Sequence, residues 1–583
     1  MSAGLNTSIP LRSHTSGRCA CAASDKIVRM SDNGLIAITG HPRWTQADLA
    51  TIANNNGHAS ALITAYEQYG VECLKHLEGA FSCIIIDPDK EQVIAGTDRL
   101  GQYPLFYAQT DNGIAIGSSA GSILGCSQVT HTLQEQGIYD YVYFHMVPSP
   151  VTIFKHVRKL PASHYVIYKN GRVSVDHYWL PEFQEQNTRS ISSLSLELKE
   201  RLTQSVSDAV SDYTTTGTFL SGGLDSSTVT GILSEISDQQ VRAYSIGFSA
   251  EGYDEMAYAR ITAKHFGVDL HEYYVTPEDV VKALPIIATS YDEPFGNSSA
   301  LPAYFCAKLA ADDGITRLLA GDGGDELFAG NERYAKQKVF ETYKSVPAPL
   351  RHYLLEPLIG ALPESVRLVG KAQSYINQAN VPLPDRLQTY NFLHRHQPAE
   401  IFSSEFLSEI NTASPIALQS ETYNRPLDAS VQNRMLYLDW QYTLADNDIR
   451  KVSHMCALAG IEVTYPMLDD RLLQFSTTIP SDLKLKGKKL RYFYKTALTN
   501  WLPKETISKR KQGFGLPFGV WMQTHKPLQD LAYNSLLSLK KSHYFNSKFI
   551  DEAIELHRSG HAAYYGELIW ILTVLHLWMD QHN

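Results

Sequence analysis

Short apolar runs separated by turn residues dominate the first third of the chain. Five of these runs are rich in β-branched and aromatic residues: Ala80–Asp87, Glu91–Asp98, Pro104–Thr110, Gly113–Ser119 and His164–Trp179. Their close spacing predicts strands of packed antiparallel sheets. The stretch ADLATIANNNGHASALITAYEQYG instead repeats its apolar residues at helical spacing, so helices are expected among these strands.

The pattern changes after the polar segment Pro181–Ser192, which is predicted to be a linker. A helix is expected over 193–212, and strands are expected at TGTFL, VRAYSIGF, DLHEYYV and ITRLLAG, with helices between them. This alternation indicates βαβ units and a parallel sheet. Beyond about Asn331 the pattern is mostly helical. We therefore predict an α+β domain over 1–185 and an α/β domain with a helical extension over 193–583.

The composition narrows the classes of function. The 583 residues carry a formal net charge of -10, with 44% hydrophobic and 19% charged residues. This balance is typical of a globular protein that binds neither nucleic acid nor an anionic membrane surface. Tyr565–Met579 is too short and polar to span a membrane and is predicted to be a buried terminal helix. Seven scattered cysteines and the absence of a secretory signal favour a cytoplasmic location with reduced thiols.

A bare turn follows the first strand of the second domain, in the sequence FLSGGLDSSTVTGIL. Ligands of parallel sheets bind beyond the carboxyl ends of the strands, where Ser221, Gly222 and Gly223 are expected. Glycines let the backbone approach an anion, and Ser226 and Ser227 open a helix whose free N–H groups favour negative charge. The turn is therefore predicted to hold phosphate, although it lacks the lysine of a Walker-type phosphate loop.

Acidic residues occur in this turn and in a second one. Asp225 repels phosphate unless a cation lies between them, and Mg²⁺ prefers one or two carboxylates together with phosphate oxygens. The second glycine-rich turn, LLAGDGGDELFAGNERY, carries Asp322, Asp325 and Glu326 after another predicted strand. Clustered acids are costly without a cation or a shared proton. Asp225 and Asp325 are therefore predicted to flank one metal ion, with a helix-entry acid and a solvated acidic turn as the alternatives.

Six motifs, in order along the chain, resemble those of the asparagine synthetase superfamily. They are SGGLDSS, SIGF with YDEMAYAR, DEPFGNSSALP, GDGGDELFAG, GIEVTYPMLDDRLL and KRKQGFGLP. The resemblance implies a PP-loop ATP-pyrophosphatase fold and a carbon–nitrogen ligase that activates a carboxylate as acyl-AMP for attack by an amine, releasing AMP and pyrophosphate. For the first domain it implies a degenerate class II glutamine amidotransferase fold of the Ntn-hydrolase type, an antiparallel β sandwich with helices.

The resemblance also assigns roles to individual positions. It places ATP against Leu220, Ser221, Gly222, Gly223, Asp225, Ser226, Ser227, Ser245, Ile246, Gly247 and Gly321. Mg²⁺ is expected on Asp225 and Asp325, and the implied catalytic residues are Asp322, Lys511 and Glu462. Asp322 is the candidate general base for the amine. Lys511 is the candidate for stabilising charge on the acyl and phosphate oxygens during attack.

Departures from the family pattern concern the substrates. Where the family carries KVDRMSM, this chain has KVSHMCA with Ser453 and His454, which leaves the acid substrate open. Class II glutaminases expose a cysteine directly after the initiator methionine, but this sequence begins MSA. Processing that exposes Cys19 or Cys21 is the alternative, although CACAAS lacks the residues that normally follow the nucleophile.

The remaining glutaminase motifs are altered as well. The oxyanion motif NGEIYN aligns with TGHPRW, which keeps Gly40 and lacks the asparagine, and the glutamine-binding aspartate aligns with His58. The glutaminase site is therefore predicted to be lost while its fold is kept, as in β-lactam synthetases and lasso-peptide cyclases. His41, Arg43 and Trp44 are expected to pack against the protein, with a new site as the alternative.

Three functions stay open at this stage. The first is asparagine synthesis from aspartate with ammonia as the amine donor. The second is a natural-product amide ligase, such as a lasso-peptide macrocyclase acting on a precursor peptide or a β-lactam synthetase-like enzyme, in which the substrate supplies the amine. The third is a non-catalytic scaffold. ATP and Mg²⁺ are the expected cofactors, and a homodimer is compatible with the sequence.

Overall fold

The computed structural model describes residues 12–582, apart from 17–18, 24–27, 30–33, 251, 363–366, 390, 511–514 and 561. Strands before residue 180 are β1 (Arg12–Ser16), β2 (Cys19–Ala23), β3 (Val28–Arg29), β4 (Leu35–Trp44), β5 (Leu77–Asp87), β6 (Gln92–Thr97), β7 (Phe106–Thr110), β8 (Gly113–Gly117), β9 (Arg158–Lys159), β10 (His164–Lys169) and β11 (Arg172–His177). Later strands are β12 (Thr216–Phe219), β13 (Arg242–Phe248), β14 (Asp269–Val275), β15 (Arg317–Leu319) and β16 (Glu462–Thr464).

Helices α1 to α9 are α1 (Ala47–Asn56), α2 (His58–Tyr69), α3 (Ala120–Leu124), α4 (Glu135–Phe144), α5 (Ile191–Ala209), α6 (Leu224–Ile236), α7 (Met256–Phe266), α8 (Pro277–Ser290) and α9 (Ala300–Asp312). Helices α10 to α19 are α10 (Gly324–Phe328), α11 (Glu332–Lys344), α12 (Ala348–Leu350), α13 (Glu356–Gly360), α14 (Arg367–Asn380), α15 (Phe392–Arg395), α16 (Pro398–Ile401), α17 (Ser404–Ser408), α18 (Ser414–Asn424) and α19 (Val431–Asp439). The remaining helices are α20 (Arg450–Leu458), α21 (Asp470–Thr477), α22 (Ser481–Lys484), α23 (Tyr492–Leu498), α24 (Lys504–Ser508), α25 (Phe518–Thr524), α26 (Lys526–Leu539), α27 (Ser547–Ser559) and α28 (Ala562–His582).

The first part of the chain forms antiparallel sheets. One sheet has the strand order β11-β10-β6-β5-β4-β3 and another has the order β8-β7-β9. Helices α1 and α2 pack against the larger sheet, where Leu49 and Leu62 share a buried cluster with Ile38, Phe81 and Ile85. The predicted antiparallel strands and the helices among them are therefore confirmed. The sequence interpretation missed β4, which contains the whole TGHPRW segment and pairs with β5 from Leu35 to Trp44.

The second part is built on a parallel sheet with the strand order β14-β13-β12-β15-β16. Strand β12 pairs with β13 on one side and with β15 on the other. The chain therefore leaves β12 and β15, two adjacent strands, at the same edge of the sheet. Edge strand β16 was missed because it lies in a region whose pattern is mostly helical. Its three residues pair with β15, which lies more than a hundred positions earlier in the chain.

Helices cover this sheet by burying one stripe of apolar residues. In α5 the side chains of Leu194, Leu198, Leu202 and Val206 recur every four residues and are all buried. The side chain of Ser190 caps this helix by accepting a hydrogen bond from the N–H of Ser193. Helix α5 packs into one connected cluster of buried apolar side chains. The members of this cluster lie between Leu100 and Met579, so it includes parts of both predicted domains.

A wide helical turn interrupts the helix that runs from α19 into α20. Residues 440–449 adopt π-helical hydrogen bonding between the two α-helical segments. Such segments shift side chains relative to a regular helix and are frequent at functional sites. Here the π segment places Asn447 in the lining of one cavity and Asp448 in the lining of another.

The carboxyl-terminal helix α28 is largely buried, as predicted, and packs against α25, α26 and α27. No helix in the described part of the chain combines the length and the apolar character that crossing a bilayer requires.

Candidate active site

A pocket of about 870 Å³ lies beyond the carboxyl ends of β12, β13 and β15. We call it the main pocket. Its walls include ten of the predicted residues: Leu220, Ser221, Gly223, Asp225, Ser226, Ser245, Ile246, Gly321, Asp322 and Asp325. Parallel sheets bind ligands at this edge, so the location agrees with the expectation from the two glycine-rich turns.

The turn after β12 is held by its own serines. Ser226 accepts a hydrogen bond from the N–H of Ser221 at 3.2 Å, and the hydroxyls of Ser221 and Ser226 lie 3.0 Å apart. Gly222 has a φ of +67° and packs directly on the backbone of α7, so a side chain there would collide with Tyr258. Gly222 therefore shapes the turn from behind and does not line the main pocket.

The turn after β15 needs glycine for close approach. A Cβ atom on Gly324 would overlap the carboxylate of Asp225, and a Cβ atom on Gly330 would overlap the carboxylate of Asp325. These glycines let two acidic side chains from two different turns share a small volume. The geometry gives a physical reason for the GDGGDELFAG composition beyond simple turn formation.

Arg491 lies between the two acids that were predicted to flank a metal ion. Its Nη1 atom is 2.6 Å from Oδ2 of Asp225 and 3.0 Å from Oδ1 of Asp325, and Nη2 also contacts Asp225. The residue is buried and has a φ of +55°, which is uncommon for a non-glycine residue and is enriched at functional sites. Sequence reasoning missed Arg491, because nothing in GKKLRYFYK marks one cation among four.

The donor set fits a magnesium ion bound together with phosphate. Asp225 and Asp325 supply hard oxygen ligands from two sides, and the guanidinium of Arg491 shows that a positive charge between them is accommodated. No group of three or more metal-ligating side chains occurs among the described residues. The remaining ligands of such an ion would therefore have to be phosphate oxygens and water, which is the usual situation for Mg²⁺.

Asp322 follows β15 and lines the main pocket, where Lys451, Asp448 and Asp225 act on its charge. Burial raises its pKa to about 6, and the nearby Lys451 partly offsets this increase. The ammonium group of Lys451 is in turn 2.7 Å from Asp448. A carboxyl group with a pKa near 6 is ionised at neutral pH and is still basic enough to take a proton, which suits a general base. Lys451 and Asp448 were not identified from the sequence.

Lys509 provides a cation beside the turn after β12. Its Nζ atom lies 2.9 Å from Glu255 and 3.3 Å from the carbonyl oxygen of Ser221. Burial raises the pKa of Glu255, with Lys509 acting in the opposite direction. Lys511, the predicted catalytic lysine two positions further on, lies outside the described residues.

Three further predicted residues do not line the main pocket. Ser227 is buried and its hydroxyl lies 3.0 Å from that of Thr262 in α7. Gly247 lies in β13, where an added Cβ would overlap the ring of Tyr274. Glu462 is on the edge strand β16, with a side chain that is 69% exposed and paired with Arg317 at 2.7 Å. The structure therefore gives Glu462 a surface ion pair and no place at the pocket.

The departures Ser453 and His454 lie in α20, behind the pocket wall. The hydroxyl of Ser453 is 2.7 Å from that of Tyr465, and His454 stacks on Tyr291 with its Nε2 atom 2.9 Å from Ser290. Burial lowers the pKa of His454 to about 4, so the ring is neutral. Neither side chain lines the main pocket.

The region that aligns with the glutaminase motif faces the second domain. From β4, Arg43 forms an ion pair with Asp469 at 2.5 Å. Nearby, Arg99 is buried and lies 3.2 Å from Asp470, which also accepts a hydrogen bond from the N–H of Gly79. Burial raises the pKa of Asp470 to about 7, whereas the pKa of Asp469 is lowered to about 2 because hydrogen bonds from Arg471 and Arg43 outweigh its burial.

Trp44 and His58 contact each other near the surface. The indole N–H of Trp44 donates to Nδ1 of His58 at 3.3 Å. Gly40 has a φ of +99°, and a Cβ atom there would overlap the backbone of β5. The glycine of the aligned oxyanion motif is therefore required by strand packing, whatever the chemistry beside it.

The topology and the pocket define the class of protein: an enzyme-type cleft at the edge of a parallel sheet, joined to an antiparallel domain. The chain matches the family described as asparagine synthase over residues 197–580, and it belongs to that family. Residues 45–179 match the glutamine amidotransferase domain. The superfamily predicted from the motifs is therefore confirmed, and this membership supports an ATP-dependent amide-forming ligase.

Individual relatives extend over most of the chain. Asparagine synthetase (glutamine-hydrolyzing) 1 of Bacillus subtilis is 25% identical over 90% of this chain and 81% of its own length. Amidase chry2 of Gibberella zeae is 27% identical over 82% of this chain and 75% of its own length. A putative asparagine synthetase of Methanocaldococcus jannaschii is 30% identical over 54% of this chain and 61% of its own length.

Proposed function

We propose that this protein is an ATP-dependent amide ligase that converts a carboxylate into an acyl-adenylate, transfers the acyl group to an amine, and releases AMP and pyrophosphate. The observation that carries the proposal is the approach of Asp225 and Asp325 from two adjacent strand ends to one buried cation. Such an arrangement suits a polyphosphate substrate bound with a divalent ion. The proposed cofactors are ATP and Mg²⁺.

The turn after β12 would hold the phosphates of ATP. The amino end of α6, which begins at Leu224, points its free N–H groups at this turn, and Lys509 adds positive charge beside it. Asp225 and Asp325 would hold Mg²⁺, which neutralises phosphate charge when it is bound. Ser245, Ile246 and Gly321 would border the rest of the nucleotide.

The part of the pocket around Asp322 would handle the amine. Its nitrogen lone pair forms the new bond to the acyl carbon, the bond from that carbon to the phosphate oxygen breaks, and AMP leaves with the electron pair. The carboxylate of Asp322 takes the proton that the attacking nitrogen loses, which its pKa of about 6 allows. Lys511 remains the proposed stabiliser of the developing oxyanion, as implied by the family resemblance.

The amine donor is proposed to be ammonia or an amine carried by a substrate. Some relatives are named glutamine-hydrolyzing, but in this chain the aligned oxyanion segment is strand β4 and its Arg43 is committed to Asp469. His58, at the position of the glutamine-binding aspartate, is engaged by Trp44. These contacts support a structural role for the first domain.

Two acid substrates remain in view. Aspartate follows from the family, and a peptide carboxylate is the second candidate because the acid and arginine of the KVDRMSM motif are replaced by Ser453 and His454. Both of these residues pack against aromatic side chains and away from the pocket, so the wall behind the acyl site is built differently. Loss of a paired acid and arginine is expected to change acid recognition by orders of magnitude.

The test measures AMP and pyrophosphate release from ATP and Mg²⁺ with aspartate, adding ammonium or glutamine in turn. Activity with ammonium and none with glutamine is the expected result for the first candidate. Silence with aspartate and activity with a peptide acid would support the second. Asp225→Ala and Asp325→Ala are each expected to abolish pyrophosphate release, and normal turnover in either variant would refute the metal assignment. If the protein does not bind ATP, a non-catalytic scaffold is the remaining function of the three.

A further inference from the structure

A second cavity, of about 310 Å³, adjoins the main pocket at the Asn297–Asn447 hydrogen bond. We call it the rear cavity. Five aromatic side chains border it: Tyr143, Phe144, Phe392, Tyr442 and Tyr564. The polar groups among them include His145, Arg333, Gln388 and Glu567. An aromatic lining with a few polar groups is typical of sites for organic ligands, and this volume equals that of about ten water molecules.

The wall between the two cavities is thin. Asn297 lines the main pocket and donates a hydrogen bond to Oδ1 of Asn447, which lines the rear cavity, at 2.8 Å. Asn447 and Asp448 are neighbours in the π segment, yet each borders a different cavity. Glu332 and Arg333 straddle the wall in the same way. One pair of amide side chains therefore separates the rear cavity from the groups around Asp322.

The rear cavity also reaches solvent. The side chain of Glu567 is 70% exposed and Tyr564 is 38% exposed, so these residues stand at its mouth. The buried Gln419 and the half-buried Gln388 add amide groups to the lining. A molecule can therefore enter past Glu567 and meet both apolar and polar groups inside.

We propose that the rear cavity binds the body of the amine substrate, an amino-acid or peptide amine with an aromatic or large apolar side chain. The proposal rests on the proposed function. Asp448, the neighbour of Asn447 in the chain, pairs with Lys451, and the charges of both act on Asp322, so a group that passes the Asn297–Asn447 wall arrives beside Asp322 and Lys451. Asp322 is the candidate proton acceptor, which assigns the amine, rather than the acid, to this side. Ammonia would need no such cavity.

The test uses L-phenylalaninamide as the probe and glycinamide as the matched probe without a ring, with binding measured by titration calorimetry on the full chain. Burial of the ring is expected to make phenylalaninamide bind roughly tenfold or more tightly than glycinamide. Gln388→Trp, which fills the cavity, and Glu567→Trp, which blocks its mouth, are each expected to weaken phenylalaninamide binding by at least about tenfold. Glu555→Trp is the control: it replaces another exposed glutamate, on α27, and is expected to bind phenylalaninamide as the parent protein does.

Outcomes are separable from those of the ligase test because calorimetry needs no turnover. Equal binding by all variants, no preference for the ring, or no binding by the parent protein would overturn the proposal. Glu567→Trp changes an exposed side chain, so it remains informative if Gln388→Trp fails to fold. Where AMP release is found, mass spectrometry should detect the acyl group on phenylalaninamide. Transfer to ammonia alone, with phenylalaninamide inert, would also contradict it.

Discussion

The two domains of this protein place their charged residues against different surroundings. In the second domain, Asp225, Asp325 and Arg491 border an open pocket, where their charge can act on a ligand. In the first domain, Arg43 and Arg99 face Asp469 and Asp470 of the second, where their charge holds protein against protein. Similar ion pairs therefore have two roles in this protein: at the pocket they leave charge within reach of a ligand, and at the junction they join the two domains.

Energetics sharpen this contrast. Removing one partner of a buried ion pair costs about 3–5 kcal/mol of stability, because the other charge stays buried without compensation. The Arg99–Asp470 pair is buried on both sides, so the junction depends on both partners. In the pocket, a ligand or a metal ion can compensate a charge whose partner has been removed. Inside the junction the remaining charge is buried by protein and stays uncompensated.

The largest predicted effect compares two aspartates that each pair with an arginine, Asp325 at the pocket and Asp469 at the junction. Asp325→Asn is expected to lower AMP release by about 10³-fold or more, because a charged group facing the phosphates is lost. Asp469→Asn, at the junction, is expected to lower stability and to leave kcat close to that of the parent protein. Steady-state kinetics and chemical unfolding of both variants make the comparison. Equal catalytic losses in the two variants would erase the distinction between pocket and junction.

The second prediction concerns Asp322. Because a general base must be ionised, the rate of amide formation should fall as the pH drops through about 6, the pKa that burial gives this carboxyl group. Asp322→Asn should lose about 10²–10⁴-fold in rate and lose this pH limb as well. The measurement is the pH dependence of kcat/KM for the amine. A limb that persists in Asp322→Asn would assign it to another group.

The third prediction addresses the junction itself. Arg99→Met is expected to lower the free energy of unfolding by about 3–5 kcal/mol, because Asp470 would stay buried without its partner. Arg189→Met is the matched control, since Arg189 is 43% exposed and its pair with Glu197 contributes about 1 kcal/mol or less. Urea unfolding of the two variants provides the measurement. A loss in Arg99→Met no larger than in the control would show that the junction is not stabilising.

The fourth prediction is a pH dependence of stability. The folded-state pKa of Asp470 is about 7, above that of the unfolded chain, so between about pH 4 and pH 7 the folded state holds a proton that the unfolded state has lost. The bound proton adds to the free energy of unfolding; this addition is complete below about pH 4 and is lost as the pH rises toward and through about 7. Between pH 5 and pH 7 the loss amounts to about 2 kcal/mol. Asp470→Asn should make this decline shallower, and the remainder is expected from other buried carboxyl groups such as Asp140, whose pKa burial also raises to about 7. An unchanged slope would assign the proton elsewhere.

The smallest predicted effect is at His58 in the first domain. His58→Ala removes a hydrogen bond with Trp44 near the surface and is expected to cost about 0.5 kcal/mol or less. Activity with glutamine should be absent both before and after the change. Glutamine-dependent AMP release that disappears in His58→Ala would show that the first domain retains chemistry, and the comparison drawn above would fail. Thermal unfolding and the AMP assay together provide the readout.

Much of the fold followed from local pattern. Strands β5, β6, β7 and β8 were found because short apolar runs lie between turn residues, and the order of strands and helices after residue 193 predicted the parallel sheet. Edge strand β16 was not found, since three residues carry no period of their own. Strand β4 was not among the predicted strands; it contains Gly40 and Pro42, which are uncommon within strands, although both fit an antiparallel ladder with β5.

The candidate site divides in the same way. The glycines and acids of the two turns were identified from composition. Eight of the ten predicted residues that line the main pocket lie in or next to these turns, and the other two, Ser245 and Ile246, lie in β13. Arg491 and Lys451 were not identified. An arginine or lysine among other cations cannot be distinguished from a surface residue until its neighbours in the folded protein are known. Glu462 shows the converse error: it lies within a family motif, but its side chain is exposed to solvent.

The sequence by itself determined the family, the two-part architecture and the positions of the two bare turns, because these depend on residues close together in the chain. Only the tertiary structure decided which charges meet. Asp225 and Asp325 are 100 positions apart and come together because β12 and β15 are adjacent in the sheet, and Arg491, 166 positions further on, reaches both from the start of α23. Electrostatic interaction falls with distance in space, which the linear order of the residues does not specify.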